Sequence, residues 1–296
     1  MEGVEPVVVG LLLVSAVLHA GWNVLLKTSG DPLRTSGIAA VAAGAVWVPI
    51  VIVVWLFVAG RPSVPMEGVL IAVGSGVLEA AYFVALSAGY RRGDLSLVYP
   101  IARGTAPLLA VAIGVLILGE RLGPVASLGV ACLLAGILTL QRPWRFLRAT
   151  GRSGGAGSAA GFALLTGVII ASYSAVDRVG TQIVPPWLYG GILFGTCAVV
   201  MVGWILMRDP GAFREPVDVG RAAATGVISL VAYLLVLVAF SVAPLTLVAP
   251  LRESAIVLAS GWGAIRLGEA AERREVGLRL AAAAVVVAGI LLIALD

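Results

Sequence analysis

Leu95–Glu120 reads LSLVYPIARGTAPLLAVAIGVLILGE, and residues 245–269 read LTLVAPLRESAIVLASGWGAIRLGE. Each stretch is apolar and long enough to cross a bilayer, which takes about 20 residues. Each has a proline near its start (Pro100, Pro250), an arginine two or three residues later (Arg103, Arg252), and Leu-Gly-Glu at its end. Their openings are offset by 150 residues. Other pairs repeat in the same order. GVLEAAYF at 76–83 is matched by GVISLVAY at 226–233, and AGIL at 135–138 by AGIL at 288–291. Trp22-Asn23 and Lys27 align with Tyr173-Ser174 and Arg178. Several matches in register imply an internal duplication.

Composition agrees. Of 296 residues, 60% are hydrophobic and 12% charged, with a mean hydropathy of +1.06. A soluble domain carries roughly 25% charged residues. The chain therefore reads as an all-α integral membrane protein, and soluble enzymes, nucleic-acid-binding modules and disordered chains are excluded. The net charge of +4 belongs to membrane topology rather than to nucleic acid. The two cysteines, Cys132 and Cys197, lie in apolar runs and read as packing residues; with one histidine, no multi-histidine metal centre can form.

Ten apolar runs lie near 7–27, 36–59, 67–90, 95–118, 122–141, 157–177, 186–207, 218–241, 244–266 and 274–295. The breaks carry charge, Pro or Gly, and the longest is the basic, Gly/Ser-rich linker at 142–156. The expected organisation is a five-helix repeat at 1–141, the linker, and a second five-helix repeat at 157–296. Five crossings bring the chain to the opposite face, so the two repeats are inverted about an axis in the membrane plane. Transporters of this build bind their substrate at the midplane, between the repeats.

HAGWNVLLK at 19–27 and the two Pro-plus-LGE units resemble the drug/metabolite transporter superfamily, in its ten-helix EamA-like branch. The resemblance covers essentially the whole chain. It implies ten helices, a small polar metabolite as substrate, no cofactor and no enzyme activity. A monomer suffices for such a pathway, and a homodimer is compatible with it. The expected place is a bacterial-type inner (plasma) membrane. Lys and Arg gather at the span ends of one face, which would put both termini outside. Typical relatives resemble the opposite orientation.

A charge at mid-membrane costs at least about 2.5–3.5 kcal/mol, so ionisable residues inside the spans are candidate site residues. They are His19, Glu79, Arg103, Arg252 and Glu253. Proline kinks at Pro100 and Pro250 free backbone carbonyls beside each arginine. Guanidinium forks suit carboxylate, phosphate or phosphonate. The competing reading is structural: two carboxylates balancing two arginines. Because Arg252 and Glu253 are adjacent on a helix, they are expected to face different surroundings. Glu79 and Glu253 are the candidates for proton coupling or for counter-ions, Glu79 the better placed for coupling. His19, Trp22 and Asn23 share one helix face, and Tyr82, Tyr99, Tyr173 and Tyr233 are further candidate substrate contacts. Glu120 and Glu269 are expected to cap the helix that follows each. The pairs Gly157/Gly161 and Gly191/Gly195 are expected to let helices approach closely. Every aspartate (Asp31, Asp94, Asp177, Asp209, Asp218, Asp296) falls at a span end or in a loop on this reading.

The function expected is secondary transport of a small anionic or zwitterionic metabolite by alternating access. The alternative is an exporter of lipophilic cations or a lipid-headgroup translocator. The chain has no Gly-Lys-Ser/Thr phosphate loop. The expected partners are the bilayer and a small-molecule substrate, with no metal and no nucleic acid.

Overall fold

The computed structural model describes residues 6–93, 95–141, 154–214, 216–253 and 273–295. Among them are ten α-helices. In the first half these are α1 (Pro6–Lys27), α2 (Pro32–Val53), α3 (Met66–Tyr90), α4 (Leu95–Leu116) and α5 (Pro124–Gln141). In the second they are α6 (Gly154–Ile183), α7 (Pro186–Arg208), α8 (Val219–Val242), α9 (Leu245–Arg252) and α10 (Arg273–Leu295). A five-residue π segment, Val54–Val58, prolongs α2. Seven helices are long and apolar enough to cross a membrane, and Pro124–Leu140 and Leu280–Leu295 are shorter apolar helices.

The starts follow capping chemistry. Asp31 Oδ1 accepts from the backbone N–H of Leu33 (3.0 Å) and Arg34 (3.2 Å), with Pro32 in the first helical position. Asp218 Oδ1 accepts from Arg221 N–H at 2.9 Å. The outward surface is apolar: Phe57, Leu116, Ile117, Val199 and Met207 are each more than 70% exposed. Polar side chains are turned inward, the reverse of a soluble fold and the arrangement that hydrocarbon requires.

The packing displays the duplication. The first helix of each half lies on the third of the other: α1 on α8, and α6 on α3. The first lies on the fourth: α6 on α4, and α1 on α9. The second lies on the third: α2 on α8, and α7 on α3. Three pairs are self-matched, α2 with α7, α4 with α9 and α5 with α10. Each of these pairings has its mirror, as a pseudo-twofold relation demands, and the most extensive contacts all run between the halves.

Small residues permit that intimacy. A Cβ on Gly129 would lie 2.9 Å from Gly289 O, and one on Gly289 would lie 2.7 Å from Gly129 O, so α5 and α10 touch backbone to backbone. Gly191 and Gly195 behave as expected, since their Cβ atoms would meet Val51 (2.9 Å) and Val48 (3.3 Å) across the α2–α7 contact. Gly157 and Gly161 do not: among the described residues, a Cβ there meets nothing within 4 Å. Small residues mark a close approach only where a partner helix faces them.

Two span boundaries differ from expectation. The sixth span was expected to end near residue 177, but α6 runs on to Ile183. Charge alone does not stop a helix; the stop is Pro185-Pro186, since the residue before proline is pushed out of the α region. The ninth span was expected over 244–266. Its described helix ends at Arg252, where Glu253 N–H bonds to Pro250 O and Leu251 O. The remainder of that expected span, and Glu269, lie outside the described residues.

Candidate functional site

The buried ionisable residues converge where the two halves meet. Arg103 on α4 donates from Nη1 to Glu253 Oε1 at 2.7 Å. Arg252 Nε lies 3.6 Å from the same oxygen. All three side chains are almost wholly buried. Thus Arg252 and Glu253, expected to diverge, share one spot. The divergence assumed a continuous helix, whereas Glu253 is the C-terminal cap of α9. The repeat register explains the longer-range pair. Aligning Pro100 with Pro250 places Arg103 opposite Glu253, its pair in space as well, 150 residues away.

An aromatic chain leads away from these charges. The rings of His19 and Trp22 are 5.9 Å apart, and Trp22 and Phe83 are 6.1 Å apart. Phe83 meets Tyr82 at 5.0 Å, Tyr82 meets Tyr173 at 6.0 Å, and Tyr173 meets Tyr233 at 5.8 Å. Arg252 Cζ sits 5.9 Å from the centroids of both Tyr173 and Tyr233, and Arg103 Cζ sits 5.7 Å from Tyr99. Guanidinium over aromatic faces is favourable, more so away from water.

Beside this chain is a small cavity of about 10 Å³, the space of one water. Trp22, Glu79, Phe83, Cys197, Thr225 and Ser229 line it, with residues of α2. Two of its buried polar atoms, Glu79 Oε2 and Trp22 Nε1, have no hydrogen-bond partner among the described residues. The same holds for Arg252 Nε and Nη1. Unpaired polar atoms in a buried site are costly.

Other expected site residues are engaged locally. Asn23 is half-buried, and its Nδ2 donates to His19 O at 2.7 Å. His19 Nδ1 sits 3.0 Å from Ser15 O and 3.3 Å from Ser15 Oγ, and Ser15 Oγ donates to Ala232 O on α8 at 2.7 Å. Tyr99 and Pro100 are half-buried, and α4 continues through both Pro100 and Pro107.

The sequence reading missed Asp177. Placed there at a span end, it is 0% exposed, inside the extended α6. Its Oδ1 accepts from Ser75 Oγ on α3 and from Tyr189 Oη on α7 (2.7 Å), and its Oδ2 accepts from Tyr233 Oη on α8. The signal available was its spacing from Tyr173, four residues earlier and therefore on the same helix face, in a run that no proline interrupts before Pro185. With Asp177 the interior holds, among the described residues, three carboxylates (Glu79, Asp177, Glu253) against two guanidiniums. The expected balance of two against two does not hold.

Glu120 also has a different role from the one expected. Its carboxylate reaches across to the other half and accepts from the backbone N–H of Leu245 (2.8 Å) and Thr246 (2.9 Å), capping α9 rather than α5. Arg178 Nε lies 3.4 Å from Glu120 Oε1, and Arg178 Nη1 donates to Phe240 O at 2.6 Å.

The chain can be set beside known proteins on this basis. No curated protein matches it. Among the solved structures that match is a crystal structure with a TM-score of 0.71 at 17% identity, over 98% of this chain and 98% of its own, a likeness that shows the fold. The model of the EamA-like transporter family matches residues 7–141 and again residues 157–295, once on each half of the packed pair. The chain therefore belongs to the EamA-like transporter family, in the drug/metabolite transporter superfamily, and is an integral membrane protein.

Proposed function

We propose that this protein is a secondary transporter that moves a small zwitterionic metabolite by alternating access between its two repeats. One observation carries the reading. Two groups of opposite charge are buried and under-used at the repeat interface: Arg252, with Nε and Nη1 lacking hydrogen-bond partners among the described residues, and Glu79, with Oε2 lacking one among them. A ligand with an anionic end for the guanidinium fork and a cationic end for the carboxylate would satisfy both. The aromatic walls suit its short apolar body. The cavity as it stands admits about one water, so a metabolite enters only when the repeats part. Opening on one face at a time is what inverted repeats allow.

A second reading, export of a lipophilic cation, draws support from the extra carboxylate. Both are tested by thermal unfolding of purified protein against amino acids, aminophosphonates, phosphorylated sugars, nucleosides and lipophilic cations. A ligand that binds the folded state raises its stability by mass action. A zwitterion should stabilise the wild type and lose its effect in both Arg252→Gln and Glu79→Gln. Stabilisation by cations alone, abolished only in Glu79→Gln, would transfer support to the second reading.

A further inference from the structure

We propose that Asp177 is a proton-binding site whose occupancy sets the packing of α8 against α6 and, through Tyr233, the state of Arg252. In calling this the coupling site of a transporter, the inference rests on the function proposed above; the proton site itself does not.

The geometry is specific. Asp177 is fully buried, and three hydroxyls from three other helices donate to it. An ionised carboxylate only accepts, so three incoming donors suit it. The two oxygens are not equivalent. Oδ1 is shared by Ser75 and Tyr189, while Oδ2 is served by Tyr233 alone. A proton that binds Oδ2 forms an O–H bond directed at the Tyr233 hydroxyl. Two donors then face each other, and the phenol must reverse its hydrogen or withdraw. Reversal keeps the pair bonded, with the carboxylic acid now the donor and the phenol hydrogen turned to a new acceptor, whereas withdrawal breaks the bond; either way the step adds one proton and moves no electron. A protonated Oδ1 conflicts in the same way with Ser75 or Tyr189.

Tyr233 is also the connection to the arginine. Its ring meets Tyr173 edge-on and lies 5.9 Å from Arg252 Cζ. A shift of this ring changes what Arg252 packs on, and Arg252 is the guanidinium whose Nε and Nη1 lack hydrogen-bond partners among the described residues.

The other charged or titratable groups around Asp177 are accounted for helix by helix. Among the described residues, Glu79 comes from α3, Tyr189 from α7, Tyr233 from α8, Arg252 from α9, and Tyr173 and Arg178 from α6 itself, while Arg103 is held by Glu253 and Tyr82 packs on Tyr173. Arg178 is occupied by Glu120 and Phe240 O. Among the described residues, the extra carboxylate and the unpaired Glu79 Oε2 mark an interior short of one positive charge, which a proton supplies.

The test needs no substrate. Infrared difference spectra of the purified protein between acid and alkaline pH, taken in a Glu79→Gln background so that Glu79 adds no band, should show the C=O band of a buried carboxylic acid, and Asp177→Asn should remove it. Hydrogen exchange in α8, corrected for intrinsic pH dependence, should quicken severalfold on acidification in the wild type and not in Asp177→Asn. Tyr233→Phe keeps the ring and should keep the band, with its midpoint moved and the α8 response lost. If Asp177→Asn retains both the band and the response, the inference is overturned. If Asp177→Asn does not fold, an unmoved midpoint in Tyr233→Phe overturns it. A titrating Asp177 in a protein that binds nothing in the ligand panel would retire the transport reading and leave the proton site standing.

Discussion

At the residue scale, Glu253 is the hinge of the charge arrangement, because one of its oxygens serves two guanidiniums, Arg103 at 2.7 Å and Arg252 at 3.6 Å. Removing the carboxylate charge leaves two buried like charges together. Removing Arg103 leaves an intact pair. Breaking a buried pair by deleting one partner costs about 3–5 kcal/mol. Glu253→Gln should therefore reach that range, and Arg103→Gln should fall below it, in thermal or denaturant unfolding of the purified protein. The opposite order would show that Arg252 is neutralised elsewhere. Gly180 gives a second prediction. A Cβ there would sit 2.8 Å from Tyr189 Cζ and 2.9 Å from Ile71 Cγ2, so only glycine leaves room for the ring whose hydroxyl meets Asp177. Gly180→Val should cost about 1–3 kcal/mol through overpacking, read by the same unfolding experiment. A neutral outcome would mean that Tyr189 moves freely. The sequence exposed Arg103, Arg252 and Glu79 because a charge inside an apolar run is conspicuous. It concealed Asp177 because a charge near the expected end of a run looks like the end itself, and helix termination there depends on Pro185-Pro186, eight residues on. The Arg103–Glu253 pair was hidden for another reason: matching arginine to arginine shifts the register by one residue from the proline alignment that the fold obeys.

At the scale of elements, α9 is a short helix that depends on a residue from the other half. Its first amides, Leu245 and Thr246, are capped by Glu120, and a carboxylate at a helix N-terminus also meets the positive end of the helix dipole. Arg178 holds that carboxylate and the end of α8 together. Loss of a helix cap costs about 0.5–2 kcal/mol. Glu120→Ala should fall in this range and should speed amide exchange at Leu245 and Thr246 while leaving the amides of α5 unchanged. Faster exchange in α5 instead would restore the local-capping role first expected for Glu120. The Gly-Glu ending was legible in the sequence as a cap. Which helix it caps was not, because a contact between Glu120 and residues 125 positions away is set by how the repeats interlock.

At the scale of the molecule, the duplication has a mechanical consequence. The most extensive helix contacts run between the halves, and within a half neighbouring helices touch only lightly. Separated from its partner, the first half would expose Gly129 and Gly136 of α5, whose Cβ positions lie 2.9 Å from carbonyls of α10, together with Arg103, stripped of Glu253. Hydrocarbon offers these groups no replacement partners. The number of spans and the repeat were readable from hydropathy and from the LGE and Pro echoes, but this interlocking was not, since periodicity reports which face of a helix is apolar and not which helix covers it. Residues 1–147 expressed alone should therefore fail to give a monodisperse species in detergent, and so should residues 148–296. Expressed together from separate messages, the two pieces should copurify as one complex that unfolds in a single transition within a few degrees of the intact chain. A first half that folds alone, with protected amides in α1 and α3, would mean that each repeat carries its own core. The pseudo-twofold pairing would then be a docking of two finished units rather than the way either one is completed.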